Sequence, residues 1–284
     1  MPFFAPSFAS AVAPLRRRGT RVVLVCDNLV AHEPRFFDAA FTRWMLKESD
    51  GYLVMSDSVE RDLDRLKPGA PRRRVPHPLY AQFDRGRWTR ESAREKLGLA
   101  GEVALFFGYV RHYKGLDTLL EAWSKVRARR AATLVVAGEF YEEPARYLAL
   151  AEAAGGEAAV RVMNRYIPDE EVEALFKAAD VVVLPYRSGT QSGVTHVAYA
   201  LGVPVITTDA GGLAEIVTPG ETGLVVPPEN PQAMAEAIVS YFEQGLAARL
   251  RAGVAAVRRE HSWEKLAART LELVDELKPG RGWR

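Results

Sequence analysis

Cysteine, long apolar runs and net charge of either sign are all scarce in this chain of 284 residues. With one cysteine, Cys26, the chain can form no intrachain disulfide and is poorly suited to a cysteine-based metal site. No stretch approaches the roughly 20 apolar residues of a membrane-spanning helix. The first residues also lack the basic start and the apolar core of a signal peptide. These absences exclude a disulfide scaffold and a membrane-spanning protein, and they predict a cytoplasmic protein.

The formal net charge of +2 is too small to predict a nucleic-acid partner, because proteins that bind phosphate backbones usually carry a strong basic stripe. Arginines nevertheless cluster at 16–18, 72–74 and 127–130. Such clusters can be solvated faces, or they can attract an anionic membrane surface at about 1 kcal/mol per residue. The sequence leaves both interpretations open, so peripheral contact with the inner membrane surface is one hypothesis.

The part of the chain after residue 100 alternates short apolar runs with amphipathic helices. The alternation predicts a parallel sheet covered by helices on both faces. Apolar residues at helical spacing predict the helices 116–126 and 172–179. The predicted strands are 103–107, 133–137, 159–163, 181–184 and 204–207. In a doubly wound sheet of this kind, ligands bind at the loops that leave the carboxyl ends of the strands.

The first 75 residues hold only two predicted strands, 21–26 and 52–55, which is too few for a complete doubly wound domain. The helices predicted there span 34–47 and 57–66. Residues 74–78 contain two prolines and predict a linker.

The last part of the chain, 230–277, predicts three helices separated near Gly245 and His261, with Ser262 as an N-cap. The sequence thus predicts an α/β protein with a partial Rossmann-like domain at 1–78 and a complete doubly wound, Rossmann-like domain at 79–260. A final segment, 261–284, is expected to pack as a helix toward the first domain.

The loop 107–115 carries two cations where a strand's carboxyl end meets the start of a helix. Helix N-termini favour anions, and Arg111 with Lys114 would add the charge needed to hold a diphosphate. The alternative is a solvated loop in which Lys114 simply precedes a helix.

A second loop, 186–194, is rich in small polar residues and leads into the helix predicted at 195–201. Gly193 and the hydroxyls of Ser192 and Thr195 could hold the same diphosphate, although such a loop is also typical of a turn with an N-cap. A third loop, 208–215, places paired glycines between a strand and a helix at the same edge. Together, the three loops predict an anion site.

Six ordered segments carry a resemblance to a known family. They lie at 107–117, 184–186, 198–206, 211–217, 223–228 and 262–265. In this order they resemble the landmarks of family 4 glycosyltransferases, and 51–56 with 75–78 resemble, more weakly, the end of that family's first domain and its hinge. The resemblance implies a GT-B architecture of two Rossmann-like domains. It also implies a nucleoside-diphosphate sugar as donor, transfer with retention of anomeric configuration, and no obligatory metal or other cofactor.

The family's functional residues can be carried over onto several positions. The resemblance implies that Lys114 is the diphosphate-binding lysine, and that Arg111 replaces an arginine that usually follows Gly108 directly, where this chain has Tyr109. The resemblance also implies that residues 164–168 contact the nucleobase. The residues expected to bind the donor are Gly108, Tyr166, Ile167, Gln191, Ser192, Gly193, Val194 and Thr195.

This chain departs from the family at two glutamates, whose positions hold Gly189 and Val197. Neither side chain can accept a hydrogen bond from a hydroxyl, so the nearest polar substitutes are Gln191, Ser192 and Thr195.

In the first domain, many family members place a histidine directly after the strand that here is 21–26, where this chain has Asp27. Either Asp27 or His32 is expected to face the cleft as a catalytic residue. The alternative for His32 is a residue near the start of a helix.

The sequence therefore predicts a retaining glycosyltransferase that moves a sugar to a glycan or lipid-linked acceptor in polysaccharide biosynthesis. The alternative is a nucleotide-sugar-binding module, or a degenerate homologue, without transfer activity of its own. A sugar-nucleotide epimerase is less favoured because the carboxylates for acid-base chemistry are not evident in the loops. No strand with a glycine-rich loop precedes Arg21, so a truncated first domain is expected, with a homodimer or partner chain at its sheet edge.

Overall fold

The computed structural model describes residues 4–30, 38–189 and 192–277, and it divides into two compact units. Unit 1 consists of the described residues up to Pro78 and from Glu260 onward, and unit 2 spans Leu79–Arg259. Each unit has its own parallel sheet and its own buried clusters.

Unit 2 is built on a sheet of six parallel strands in the order β6-β5-β4-β7-β8-β9. The strands are β4 (Glu102–Phe107), β5 (Ala132–Ala137), β6 (Val160–Met163), β7 (Val181–Leu184), β8 (Val205–Thr208) and β9 (Gly223–Val226). The five predicted strands are confirmed, and β9 is additional. The order of the strands reverses between β4 and β7, which defines the topological switch point of a doubly wound sheet.

Helices cover this sheet on both faces, as the alternation of strands and helices predicts. They are α4 (Arg90–Leu97), α5 (Leu116–Arg127), α6 (Pro144–Ala153), α7 (Asp169–Ala178), α8 (Gly193–Ala200), α9 (Pro231–Glu243) and α10 (Ala247–Glu260). Alternate residues of β4 point to opposite faces: Val103 and Leu105 join one apolar cluster, and Ala104 and Phe106 join the other. The core of unit 2 therefore lies on both sides of the sheet.

Two local differences from the sequence predictions concern the loops at the carboxyl edge of this sheet. Helix α8 begins at Gly193, two residues before the predicted start, so Gly193 and Val194 belong to its first turn. The third loop contains a 3₁₀ helix, Gly211–Ile216.

Unit 1 contains a smaller parallel sheet in the order β1-β2-β3. Its strands are β1 (Val23–Cys26), β2 (Gly51–Val54) and β3 (Arg72–Arg74), and its first three helices are α1 (Ala5–Arg17), α2 (Asp38–Lys47) and α3 (Asp57–Leu66). Neither α1 nor β3 was predicted, and the linker predicted at 74–78 begins inside β3. Residues 34–37 of the first predicted helix lie outside the described residues.

Helix α11 (Trp263–Glu276) belongs to unit 1 although it ends the described chain. Leu273 and Leu277 pack with Leu53 and Val75 in one apolar cluster. The predicted N-cap is confirmed, because the Ser262 hydroxyl accepts a hydrogen bond from the Lys265 N–H at 3.2 Å. Among the described residues, no helix combines the length and the apolar character needed to cross a membrane.

Candidate functional site

The candidate site lies in unit 2 at the carboxyl ends of β4 and β7, the two strands at the switch point of the sheet. The loop after β4 carries Arg111 and Lys114, and the loop after β7 leads to the first turn of α8. Since neighbouring parallel strands end at the same edge, the fold brings the two predicted phosphate-binding loops together.

Lys114 is a buried cation at this edge. It ends a short 3₁₀ turn, His112–Lys114, and only 8% of its surface is exposed. Its ammonium group lies 5.6 Å from the centroid of the Tyr186 ring, and no carboxylate among the described residues forms an ion pair with it. Burial, with the charge of Arg111, lowers the pKa of Lys114 to about 8. A buried lysine with a lowered pKa is typical of a site that binds an anion or uses the amine in chemistry.

Two glycines allow the loop after β4 to approach its neighbours closely. Gly115 has φ +65°, and a Cβ atom there would lie 2.1 Å from the carbonyl oxygen of Pro185 in the loop after β7. At Gly108, with φ +99°, an added Cβ would lie 2.9 Å from Lys114 Nζ. The two loops therefore meet backbone to backbone, and the ammonium group stands directly against Gly108.

Arg111 is exposed and lies at the rim of the same loop. Its guanidinium carbon is 4.8 Å from the centroid of the Tyr141 ring, and Tyr141 in turn packs edge-on against Tyr109 at 4.8 Å. The cation-π contact holds the charge of Arg111 close enough to lower the pKa of Lys114. The predicted diphosphate role of Arg111 stays a prediction.

The first turn of α8 presents polar groups to the same edge. Ser192 occupies the N-cap position, but its hydroxyl makes no capping bond and instead donates to the Tyr186 hydroxyl at 3.4 Å. Thr195 is 1% exposed, and its Oγ1 has no hydrogen-bond partner among the described residues. Because a buried hydroxyl is normally satisfied, Thr195 is a candidate for contact with a bound ligand. The backbone N–H groups of Gly193 and Val194 lie in the same turn.

An apolar cavity of about 170 Å³ adjoins Gly108. Its walls include Tyr109, Tyr166, Ile167 and Val197. Three of the predicted donor-binding residues, Gly108, Tyr166 and Ile167, therefore line one cavity. Val197, which occupies one of the two glutamate positions of the family, lines it as well. An aromatic-lined apolar cavity suits a planar base more than a charged group.

Asp117 and Arg187, for which the sequence predicts no role, are in direct contact in the structure. Arg187 Nη2 donates to Asp117 Oδ1 at 2.8 Å, and Arg187 Nη1 donates to the His112 carbonyl at 2.7 Å. Asp117 lies within the first landmark segment and Arg187 within the loop 186–194, but an acidic residue in the first turn of a helix usually needs no partner beyond the helix itself. Only the contact between Asp117 and Arg187 in the folded chain shows that they differ from ordinary surface residues.

The structure does not bring all predicted residues into this site. Asp27 is exposed directly after β1 in unit 1, whereas Lys114 and the donor-binding residues belong to unit 2. His32 and Gln191 lie outside the described residues. The catalytic roles of Asp27 and His32, and the donor contact of Gln191, stay predictions.

Each of the three arginine clusters contains at least one residue that pairs with a carboxylate. Arg16 contacts Glu48 at 2.9 Å, and Arg72 contacts Glu60 at 2.8 Å. Arg129 bridges two glutamates of α9, Glu236 at 2.8 Å and Glu243 at 3.0 Å. Peripheral contact with an anionic membrane surface stays a prediction.

A family comparison identifies the class of protein that this fold and edge define. Residues 101–244, which include all six strands of unit 2, match the family model of the glycosyl transferases group 1. The chain belongs to this family.

Individual relatives carry different names. The D-inositol 3-phosphate glycosyltransferase of Corynebacterium urealyticum is 34% identical over 207 residues, which are 66% of this chain and 46% of that protein. A glycogen synthase of Mycobacterium tuberculosis is 28% identical over 247 residues, 85% of this chain and 58% of that protein. The chain thus spans about half the length of the curated relatives it matches.

Among solved structures, Anabaena HepE in complex with UDP superimposes with a TM-score of 0.74 at 18% identity. The match covers 95% of this chain and 76% of that one. The likeness confirms the predicted GT-B class of α/β fold.

Proposed function

We propose that the chain binds a nucleoside-diphosphate sugar at the carboxyl edge of unit 2 and transfers the sugar, with retention, to a glycan or lipid-linked acceptor. The observation that carries the proposal is the buried ammonium group of Lys114, which stands against Gly108 on the side where Val194 of the first turn of α8 also approaches. Such an arrangement has charge and N–H donors but no anion of its own, and a diphosphate supplies the anion. The HepE complex supports UDP as one candidate for the nucleotide.

The proposed reaction places its main electrostatic demand on the leaving diphosphate. As the bond between the anomeric carbon and the diphosphate oxygen breaks, negative charge grows on that oxygen. The acceptor hydroxyl oxygen bonds to the anomeric carbon, and its proton passes to the departing diphosphate. Lys114, Arg111 and the N–H groups of Gly193 and Val194 would stabilise this charge. Because these protein groups stabilise the charge that a divalent metal could otherwise stabilise, we propose that no metal is obligatory.

The other predicted residues have complementary parts in this proposal. The nucleobase occupies the cavity lined by Tyr166 and Ile167, and the Thr195 hydroxyl bonds the diphosphate. Asp27 or His32 belongs to the acceptor side in unit 1. The proposal places the reaction in polysaccharide biosynthesis in the cytoplasm.

The test begins with thermal-shift titration of UDP, GDP and ADP, followed by assays of donor hydrolysis and transfer with the sugar nucleotide of the preferred base. We expect Lys114→Ala to lower turnover at least tenfold, because it removes the buried charge. Lys125→Ala, which changes an exposed lysine on α5, serves as the matched control and should keep full turnover. Unchanged turnover in Lys114→Ala would contradict the proposal, and unchanged turnover in the presence of EDTA would support metal independence.

A nucleotide-sugar-binding module without transfer activity is the second candidate. It is favoured by Gly189 and Val197, because Val197 presents an alkyl side chain to the cavity where the family has a carboxylate. A thermal shift with nucleotide but no turnover would identify this module. Association into a homodimer or with a partner chain stays a prediction, and a monomer by light scattering at micromolar concentration would contradict it.

A further inference from the structure

The guanidinium group of Arg187 links the loop after β7 to the loop after β4 in the candidate site. It projects from the loop after β7 and donates to the His112 carbonyl at 2.7 Å. The backbone N–H of Arg187 donates to the Tyr113 carbonyl, also at 2.7 Å. These two acceptors are the residues directly before Lys114, so the contacts of Arg187 fix the turn that carries the lysine.

Asp117, which follows Lys114 by three residues, binds the same guanidinium group of Arg187. This carboxylate is 2% exposed and accepts from Arg187 at 2.8 Å, from Arg146 at 2.6 Å and from the Thr118 N–H at 2.9 Å. Burial alone would raise the pKa of Asp117, but these hydrogen bonds and the two guanidinium charges hold it below its ordinary range. Asp117 is therefore a charged partner whose removal leaves the Arg187 guanidinium without its buried anion.

We propose that Arg187 and Asp117 are positioning residues, which hold the Lys114 ammonium group and the first turn of α8 at the distance that suits one diphosphate group. The identity of the ligand rests on the proposed function, whereas the positioning of Lys114 is a property of the unliganded chain. The lysine stem is long and flexible, so its ammonium group stays buried only where its backbone turn is fixed.

The geometry distinguishes this pair from an ordinary surface ion pair. Arg187 spans two separate loops and bonds a main-chain carbonyl as well as a buried carboxylate, whereas Arg129 joins only exposed glutamates of α9. Exposed pairs contribute little because water screens them. Arg129→Gln is therefore a matched control for Arg187→Gln.

The first experiment measures the affinities of the preferred nucleoside diphosphate and of its monophosphate by calorimetric titration. In Arg187→Gln and Asp117→Asn we expect the diphosphate affinity to fall about tenfold and the monophosphate affinity to change less than threefold. Arg187→Lys should not restore the affinity, because a lysine cannot bond the carbonyl and the carboxylate in the same fork. Arg129→Gln should match the wild type.

A double-mutant cycle separates positioning from a direct contact of Arg187 with the ligand. In the Lys114→Met background, Arg187→Gln should cause less than a twofold further loss, because the arginine acts through the lysine. Additive tenfold losses, or an unchanged ratio of diphosphate to monophosphate affinity in Arg187→Gln, would overturn the inference.

The second experiment needs no nucleotide, so it stands even where the proposed function fails. Reductive methylation with ¹³C-formaldehyde allows the Lys114 amine to be titrated by NMR, with the Lys114→Met variant assigning the signal. Removing the carboxylate in Asp117→Asn would lower the pKa of Lys114 through charge alone, whereas release of the turn into solvent would raise it. We expect a rise toward the values of the exposed lysines. An unchanged or lowered pKa in a variant that keeps the wild-type melting temperature would overturn the inference, and a wild type that binds no nucleotide would overturn only the proposed function.

Discussion

Lys114 is the residue whose chemistry depends most on its surroundings. Its burial and the charge of Arg111 bring its pKa to about 8, so the fraction of charged lysine changes within the accessible pH range. Below this pKa the ammonium group is available for a diphosphate, and above it the neutral amine is not.

A pH dependence of binding follows from this pKa. We expect the affinity for a nucleoside diphosphate to be nearly constant around pH 7, where the phosphates are ionised and Lys114 is charged. The affinity should be about twofold lower at pH 8 and should then fall up to about tenfold per pH unit, until the intrinsic affinity for the protein with neutral Lys114 is reached. Calorimetric titration between pH 7 and 10 measures it. Lys114→Met should give a flat profile, and an equal decline in that variant would assign the effect to another group.

Gly115 offers a separate test of the contact between the two loops. An alanine there must adopt φ +65° and place its Cβ 2.1 Å from the Pro185 carbonyl oxygen, so one loop has to move. We expect Gly115→Ala to lower diphosphate affinity at least tenfold and stability by about 1–3 kcal/mol. Gly69→Ala is a useful comparison because it shares a positive φ but has no neighbour within 4 Å. Equal affinity losses in both variants would contradict the role assigned to loop contact.

The candidate site could be predicted only in part. Lys114 and Gly193 follow directly from the positions of the loops, since the carboxyl edge of a parallel sheet collects them. The roles proposed for Asp117 and Arg187 could not be predicted, because they depend on a contact between residues 70 positions apart. That the Thr195 hydroxyl has no hydrogen-bond partner within the described residues is likewise visible only where the packing around α8 is known.

At the scale of the elements, α4 is joined to the sheet of unit 2 by one buried carboxylate. Asp180 Oδ2 accepts from Arg94 of α4 at 2.8 Å and from the Val103 N–H of β4 at 2.8 Å. Asp180 Oδ1 also accepts from Arg90. A single side chain thus connects a helix to the strand that leads into the Lys114 loop.

We expect Asp180→Ala to lower the free energy of unfolding of unit 2 by about 3 kcal/mol, because it removes the anion that Arg94 contacts and leaves the buried Val103 N–H without its acceptor. Glu236→Ala removes an exposed partner of Arg129 and should change stability by less than about 1 kcal/mol. Urea unfolding monitored by circular dichroism measures both. Similar losses in the two variants would contradict the assignment of Asp180 as the anchor.

The elements of unit 2 were predictable because burial on both faces makes β4, β5, β7 and β8 continuous apolar runs. Strand β3 was not predicted because it consists of three arginines, which give no apolar pattern. Its pairing with β2 uses only backbone groups, which the sequence does not show. In α1 the buried residues are Ala5, Ala9 and Val12, so the helix shows too weak an apolar pattern to be recognised. In unit 1, the two elements that were not predicted are therefore the ones that bury no large apolar side chain.

At the scale of the whole chain, the two units have separate apolar clusters. Leu63 is fully buried in unit 1, and the candidate nucleotide site lies wholly in unit 2. Separate cores allow one unit to lose stability without loss of the ligand site in the other.

We expect Leu63→Ala to cost unit 1 about 2–5 kcal/mol, while nucleotide at a hundredfold excess over its Kd still stabilises unit 2 by about 2.7 kcal/mol. Differential scanning calorimetry with and without nucleotide measures both effects. A variant that unfolds unit 1 and also abolishes the nucleotide-induced shift would contradict the assignment of the site to unit 2.

The central claim is that a diphosphate binds against Lys114 at the carboxyl edge of the unit 2 sheet. The most direct test compares the affinities of the preferred nucleoside diphosphate and its monophosphate in the wild type and in Lys114→Met at pH 7.5. We expect the diphosphate to bind at least tenfold more tightly than the monophosphate in the wild type, and we expect this preference to fall below threefold in the variant. A preference of the same size in both proteins would contradict it.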